Sequence, residues 1–565
     1  MKASDAIAKF LAAHQIHFCF ELVGGMITHM LDSMATDGRF TIVSMHHEQA
    51  AAFAAEGFSR AERGRRIAVA MGTSGPGATN MMTAIGSCWF DSVPCLFITG
   101  QVNTHEMRDS PLLRQQGFQE LDSAALVKSM TKYSTRVDQV DHLLPSLHRA
   151  VSLALSGRQG PTLLDIPNDV QRADIADSVV QEWLIAPLLT DPIDAVQLAP
   201  AVVNEIVELC RTARCPLVLI GGGARWAPSF DAWLQGIEDS GIPYVTSLMG
   251  HENVPMREHY FSMIGAYGHR EANWAIQNCD LLIVLGARMD IRQTGANAGD
   301  FGRNAKIVQI DADAAQLNNR VKVHLAVEIT TEMFMREFKV TSERFPAMSR
   351  EWLPALRAKR QANLIDHYPD WMMSPSRIFA ALNQSTLGQA VHYVCDVGNH
   401  QMWAAQGLRL GINQTVHYNG GMGAMGFALP AAIGVALSSN KKTIVITGDG
   451  SIQVNSHELD TLHRLQLDMT IIVMNNFSLG MVKNFQDMYF DGRDQSTRRG
   501  YSCPDFVAVG AAHGIESMAV RSLAELDAAL DRMNQTVKPL LIEIIMEGAT
   551  ECRPRLTYGS RLGDE

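Results

Sequence analysis

Short apolar runs recur along the chain, each closed by Gly, Asp or Asn, with stretches of helical spacing between them. Examples are RIAVAMG (66–72), PCLFITGQV (94–102), PTLLDIP (161–167), CPLVLIGGG (215–223), DLLIVLGAR (280–288), KIVQIDAD (306–313), KTIVITGDG (442–450) and TIIVMNN (470–476). Such alternation predicts parallel α/β units and an α/β fold of doubly wound sheets. The closing residues suit turns at the C-terminal edge of the strands, where ligands collect in open parallel sheets. Two stretches, about 170–197 and 340–374, mix Pro, charge and aromatics without a strand and read as connections. They divide the chain into three domains, expected at 1–172, 190–340 and 370–550.

Size agrees with that division, because 565 residues exceed one hydrophobic core. The formal charge of −11, with no Lys/Arg cluster, argues against a nucleic-acid partner. The N-terminus, MKASDAIAKFLAAH, reads as an amphipathic helix and not as a signal peptide. The most apolar stretch, GFALPAAIGVAL (426–437), is shorter than the ~20 residues of a membrane span. Nine scattered cysteines with no CxxC pair favour reduced thiols and a cytoplasmic location.

The strongest local signal runs from Gly448 to Asn476. The strand IVIT delivers Gly448-Asp449-Gly450 at its tip, a helix follows, and a second strand brings Asn475 and Asn476 to the same edge. A carboxylate beside an amide oxygen is a hard-oxygen pair suited to Mg²⁺ carrying a diphosphate. Gly450 allows close backbone approach, and the helix after Asp449 aims its N–H groups at the phosphates. A lone GDG is only a turn. With Asn476 at the next strand's end, the segment resembles the thiamine-diphosphate motif that begins GDG and ends NN. That resemblance implies Ser478, through its main-chain carbonyl, as a third metal ligand beside Asp449 and Asn476, and Ser451 as a further cofactor contact.

The same resemblance implies a carboxylate against the cofactor's aminopyrimidine ring. Glu48 follows the strand FTIVSM, opens an Ala-rich helix and precedes Gln-Ala, as the family's activating glutamate does. TSGPGATN (73–80), with Gly75, is a turn before a helix N-terminus that lets backbone lie close to a ligand. Gly24 and Gly25 are assigned to the same cofactor. GGMGAMGFALPAAIG (420–434) is matched as the ring-side loop, with the Gly423 carbonyl accepting from the aminopyrimidine and Met425 as the wedge that bends the cofactor. DVGNHQMWA (396–404) is the other cofactor-side loop, which the resemblance implies brings Gly398, Asn399, His400 and Gln401 to the diphosphate.

Nearly the whole chain is similar to the acetohydroxyacid (acetolactate) synthase group, through HEQAAAFAAEGFSRA, GTSGPGATN, FITGQV, GFQE (117–120), TKY (131–133), GPTLLDIP, DVGNHQMWAAQ, GMGAMGFALPAAIG and NNFSLGMV. The resemblance implies the three-domain architecture of pyruvate decarboxylase-like enzymes and a homodimer or homotetramer with active sites at subunit interfaces. Pyruvate is the implied donor, with Gln119 and Lys132 near the acceptor and Phe118, Met481 and Phe485 shaping the pocket. SLMGHENVP, MIGAYGHREAN and LGARMDIRQTG are similar to flavin-binding stretches. They give Gly222, Ser247, Leu248, Gly265, Gly286, Arg288, Asp290, Arg292 and Asp311 as FAD candidates. FAD would be structural, since acetyl transfer is redox-neutral.

Three features depart from the group. Phe485 stands where Trp is usual in GMVxQWQ, Asn168 where Lys is usual, and the tail ECRPRLTYGSRLGDE lacks the usual closing segment. They tilt the expected acceptor from a keto acid toward a specialised ketone, such as a CDP-linked keto-deoxysugar that would become a branched sugar, as in yersiniose synthesis. Ordinary acetolactate synthesis from two pyruvates is the alternative. A simple decarboxylase, a pyruvate oxidase and a non-catalytic paralogue are the further rivals.

Overall fold

The computed structural model describes residues 1–110, 112–362, 373–439, 441–546, 548–549, 551–556 and 559–562. Parts of the expected 340–374 connection, of the start of the 370–550 segment and of the C-terminal tail lie outside the described residues.

Eighteen strands form three six-stranded parallel sheets among the described residues. The first contains β1 (Phe18–Glu21), β2 (Thr41–Ser44), β3 (Val69–Thr73), β4 (Cys95–Gln101), β5 (Tyr133–Arg136) and β6 (Pro161–Pro167), in the order β2-β1-β3-β4-β6-β5. The second contains β7 (Pro216–Ile220), β8 (Tyr244–Thr246), β9 (Tyr260–Met263), β10 (Leu281–Leu285), β11 (Lys306–Asp311) and β12 (Leu325–Glu328), ordered β12-β11-β10-β7-β8-β9. The third contains β13 (Val391–Cys395), β14 (Thr415–Tyr418), β15 (Lys442–Gly448), β16 (Met469–Asn475), β17 (Glu516–Val520) and β18 (Leu540–Ile545), ordered β14-β13-β15-β16-β18-β17. This is the expected α/β class. The central strands β4, β6 and β16 are buried along their whole length, as their continuous apolar runs require.

Sheets one and three share one topology, with the strand order reversing between their first and third strands. In the middle sheet the order reverses between β7 and β10. Each reversal opens a crevice at the C-terminal edge, the usual ligand position in such sheets.

The first and third domains join through two helices, Glu48–Ala61 and Ala428–Ser438. Both are rich in Ala, the best helix former. Pro430 falls in the first turn of its helix, where no intrahelical N–H partner is lost. The backbones touch, so that a β-carbon on Gly57 would overlap the Ala431 carbonyl and one on Gly434 the Ala54 carbonyl. The apolar 426–437 stretch is therefore interdomain core. No helix among the described residues is long and apolar enough to cross a membrane.

Candidate active site

In the third sheet, Gly448 pairs with Met474, which sets Asp449 beside Asn475 and Asn476 at the strand ends. Asp449 is buried and opens a short helix. Burial pushes its carboxyl up to about 6, against the Tyr501 hydroxyl and the backbone N–H groups of Asp449, Asn476 and Ser478. Tyr501 donates to Asp449 Oδ2 at 2.8 Å. The Asn476 amide nitrogen donates to the Ala549 carbonyl at 2.9 Å, which leaves Oδ1 as the acceptor end. Ser478 Oγ is buried without a partner. Asp449, Asn476 and Ser478 thus form one oxygen-rich group with a single carboxylate. That donor set fits Mg²⁺ that takes its remaining ligands from a diphosphate.

The adjacent crevice wall is the turn after β13. Gly398 and Gly448 make room for His400, since a β-carbon on either would stand 2.6 or 2.7 Å from its ring. Burial lowers His400 to about 3, so the ring is neutral, and its Nε2 is buried without a partner. Ser451 Oγ donates to the Val397 carbonyl at 2.8 Å and ties the two walls together. Gly450 is open to Leu479, Met425 and Tyr501, all within 3.4 Å of where its β-carbon would be. An unpartnered imidazole nitrogen, an unpartnered hydroxyl and a helix N-terminus facing one crevice fit a diphosphate group.

The loop carrying Gly423 and Met425 is pinned by Asp396. One carboxylate oxygen accepts from Val397 N (2.8 Å) and Gly426 N (2.9 Å), the other from Ala428 N (2.9 Å). Asn455 donates to the Gly426 carbonyl at 2.8 Å and to Gln49 Oε1 of the first domain at 3.2 Å. Asp396, Asn455, Asn80 and Tyr501 were not singled out from sequence. Asp396 opens the DVGNHQMWA run and Asn80 closes TSGPGATN, so both were within reach. Tyr501 lies in a segment without pattern.

In the first sheet, Glu48 is 8% exposed and accepts from Asn80 Nδ2 at 2.9 Å. Its side chain packs on Gly72 and Gly77, whose β-carbons would stand 3.4 and 3.5 Å from it. Gly24, Gly25 and Gly75 border the crevice between β1 and β3. Gly75 has φ +62°, and Ser74 Oγ donates to the Gln119 carbonyl at 2.8 Å, which places Gln119 at the same edge. Phe118, beside it, is 80% exposed. Met481 is half-buried and Phe485 is 53% exposed, both on the helix Gly480–Tyr489 of the third domain.

Lys132 is a correction. It immediately precedes β5, and Tyr133 pairs with Thr162 at the start of β6, so Lys132 lies at the N-terminal edge of the first sheet, opposite Gly75. Its ammonium donates to the Ser156 carbonyl at 2.6 Å and is lowered from its ordinary value by burial. It is not placed with Gln119.

The middle sheet's crevice opens into a cavity of about 600 Å³, a size usual for small-molecule sites. Gly222, Ser247, Gly286, Arg288 and Asp311 line it, along with Asp91 and Arg158 of the first domain. A smaller cavity, which shares Ser247, Met249, Arg288 and Gln293, continues past Leu248, Asp290 and Arg292 to Met402 and Gly420 of the third domain. Gly265 adjoins it through the Arg292 carbonyl. At the first end, Gly221 passes so close to Gly286 and Ala287 that any side chain would collide. A long cleft with a glycine cradle at the switch point and a strand-end Asp fits an extended dinucleotide such as FAD.

Three models of the thiamine pyrophosphate enzyme match the chain: the N-terminal TPP binding domain over 1–126, the central domain over 203–338 and the C-terminal TPP binding domain over 396–544. The acetolactate synthase isozyme 2 large subunit of Escherichia coli is 31% identical over 99% of this chain and 98% of its own length. The acetolactate synthase large subunit of Corynebacterium glutamicum is 31% identical over 100% of this chain and 90% of its own. A probable acetolactate synthase large subunit of Methanocaldococcus jannaschii is 30% identical over 100% and 94%. With matches of this extent laid over a buried glutamate, a metal-type oxygen cluster and three sheets in the expected order, the chain belongs to the acetolactate synthase family of thiamine-diphosphate-dependent, carbon–carbon bond-forming enzymes.

Proposed function

We propose that the protein decarboxylates pyruvate and transfers the remaining two-carbon unit to a second keto acid, ordinarily another pyruvate, to give acetolactate. The observation that carries this is the presence of both a buried Glu48 and the Asp449–Asn476–Ser478 oxygen cluster in a chain that aligns end to end with proteins named acetolactate synthase. Thiamine diphosphate, when bound, supplies the nucleophilic carbon and the electron sink for loss of CO₂.

The chain's own residues do the rest. Asp449 and Asn476, with the main-chain carbonyl of Ser478, would hold Mg²⁺ at the diphosphate end. Neutral His400 and Ser451 line the phosphate end. Glu48, its carboxylate oriented by Asn80, would be the group that meets the ring nitrogen of the aminopyrimidine. The Gly423 carbonyl would accept from the exocyclic amine, and Met425 would pack against the cofactor. Gln119 and Phe118 border the acceptor. The middle cleft would hold FAD as a structural element. Met422, Met425, Phe118 and Phe485, exposed by 39, 37, 80 and 53%, are large apolar side chains that a second copy of the chain would cover.

A second reading, a nucleotide-linked keto sugar as acceptor, is favoured by Phe485 in place of Trp and by the divergent tail. The names of the relatives support the keto-acid acceptor. The deciding test is a product screen with labelled pyruvate, offered alone, with other 2-keto acids and with keto sugars. Acetolactate from pyruvate alone is expected. Free acetaldehyde as the sole product, or bleaching of bound flavin by pyruvate, would replace this reading with a decarboxylase or an oxidase.

A further inference from the structure

Where the three sheets meet, five ionisable side chains are buried together. Arg60, fully buried, donates to Glu56 (2.7 Å), Asp91 (2.6 Å) and Glu252 (3.2 Å). Arg225 pairs with Glu252 at 2.9 Å and donates to the Asp91 main-chain carbonyl at 2.9 Å. Burying such a group is weak evidence for stability, because desolvation offsets the Coulomb gain. Its effect is to fix geometry, and two of its carboxylates reach into the third domain. Glu252 accepts from Tyr418 N at 3.0 Å. Asp91 accepts from Gly420 N at 3.1 Å through one oxygen and from Gly421 N at 2.8 Å through the other.

Gly420 and Gly421 open the loop that carries Gly423 and Met425. Its far end is held by Asp396, and its near end is held by Asp91. The near end also has no room to shift, since a β-carbon on Gly421 would overlap Phe90 and one on Gly420 would overlap Met249. Each Asp91 oxygen is committed to one of these backbone N–H groups, and one of them also takes the Arg60 guanidinium.

We propose that Asp91, anchored by Arg60, is a positioning residue for the thiamine site, setting the near end of the Gly420–Met425 loop against the cofactor ring. This rests on the assignment of that loop made above. Asp91→Asn keeps the volume but turns one acceptor into a donor that must face Arg60 or a glycine N–H.

The readout is the dissociation constant of thiamine diphosphate at saturating Mg²⁺, followed by tryptophan fluorescence, with the KM for pyruvate alongside. Asp91→Asn is expected to raise that constant by about tenfold, the lower end for residues that orient a binding group, and to leave KM unchanged. Glu56→Gln, in the same cluster but bonded only to Arg60 and Ser87, is expected to bind the cofactor like wild type. Wild-type affinity in Asp91→Asn, or equal weakening in Glu56→Gln, overturns the proposal. Met425→Ala reports on the loop assignment: no effect there sinks that assignment, whereas an effect there with none in Asp91→Asn sinks the positioning role alone. If Asp91→Asn does not fold, Gly421→Ala disturbs the same contact from the loop side, and unchanged affinity in it is equally fatal.

Discussion

Glu48 and Tyr501 show how single residues prepare the site. The Glu48 carboxylate is buried with Asn80 as its hydrogen-bond donor, so Glu48→Gln keeps size and an acceptor oxygen but cannot share a proton as a carboxylate does. Turnover is expected to fall by about 10²–10⁴-fold with the melting temperature retained, checked by acetolactate formation and a thermal melt. Tyr501 occupies one oxygen of Asp449 and orients the other. Tyr501→Phe is expected to weaken Mg²⁺ by about 10–100-fold, read as the Mg²⁺ concentration needed for cofactor binding. Asp449, Asn476 and Glu48 stand out in sequence as candidates because each lies at a strand end or helix start in a recognisable run. Tyr501 does not, because it reaches the site from an irregular loop. Lys132 was misplaced because a motif beside a strand does not say which edge of the sheet it occupies.

At the scale of elements, the helices Glu48–Ala61 and Ala428–Ser438 hold the first and third domains in backbone contact. Gly434→Ala would push a methyl into the Ala54 carbonyl. It is expected to destabilise the protein by at least about 1–3 kcal/mol, measured by chemical or thermal denaturation, and more if the helices cannot separate. The long central strands were legible as apolar runs, and PTLLDIP matches β6 residue for residue. The short strands β5 and β12 gave no such signal. Their residues are mostly half-buried or exposed, because an edge strand has one neighbour and little covering, and hydrophobic periodicity fades with burial.

At the scale of the whole molecule, three sheets meet around the Arg60 cluster and leave large apolar side chains bare near both halves of the site. Light scattering is expected to give a particle of at least twice the 62.0 kDa chain mass; a monomer at micromolar concentration would remove the shared-site reading. The sequence by itself determined the α/β class, the order of the motifs and which residue types stand at the strand ends, because those depend on local runs. The tertiary structure decided which groups meet. That Asp91 reaches Gly420, that Asn80 faces Glu48 and that the middle cleft continues to the third domain depend on packing between segments far apart in the chain, which no local pattern encodes.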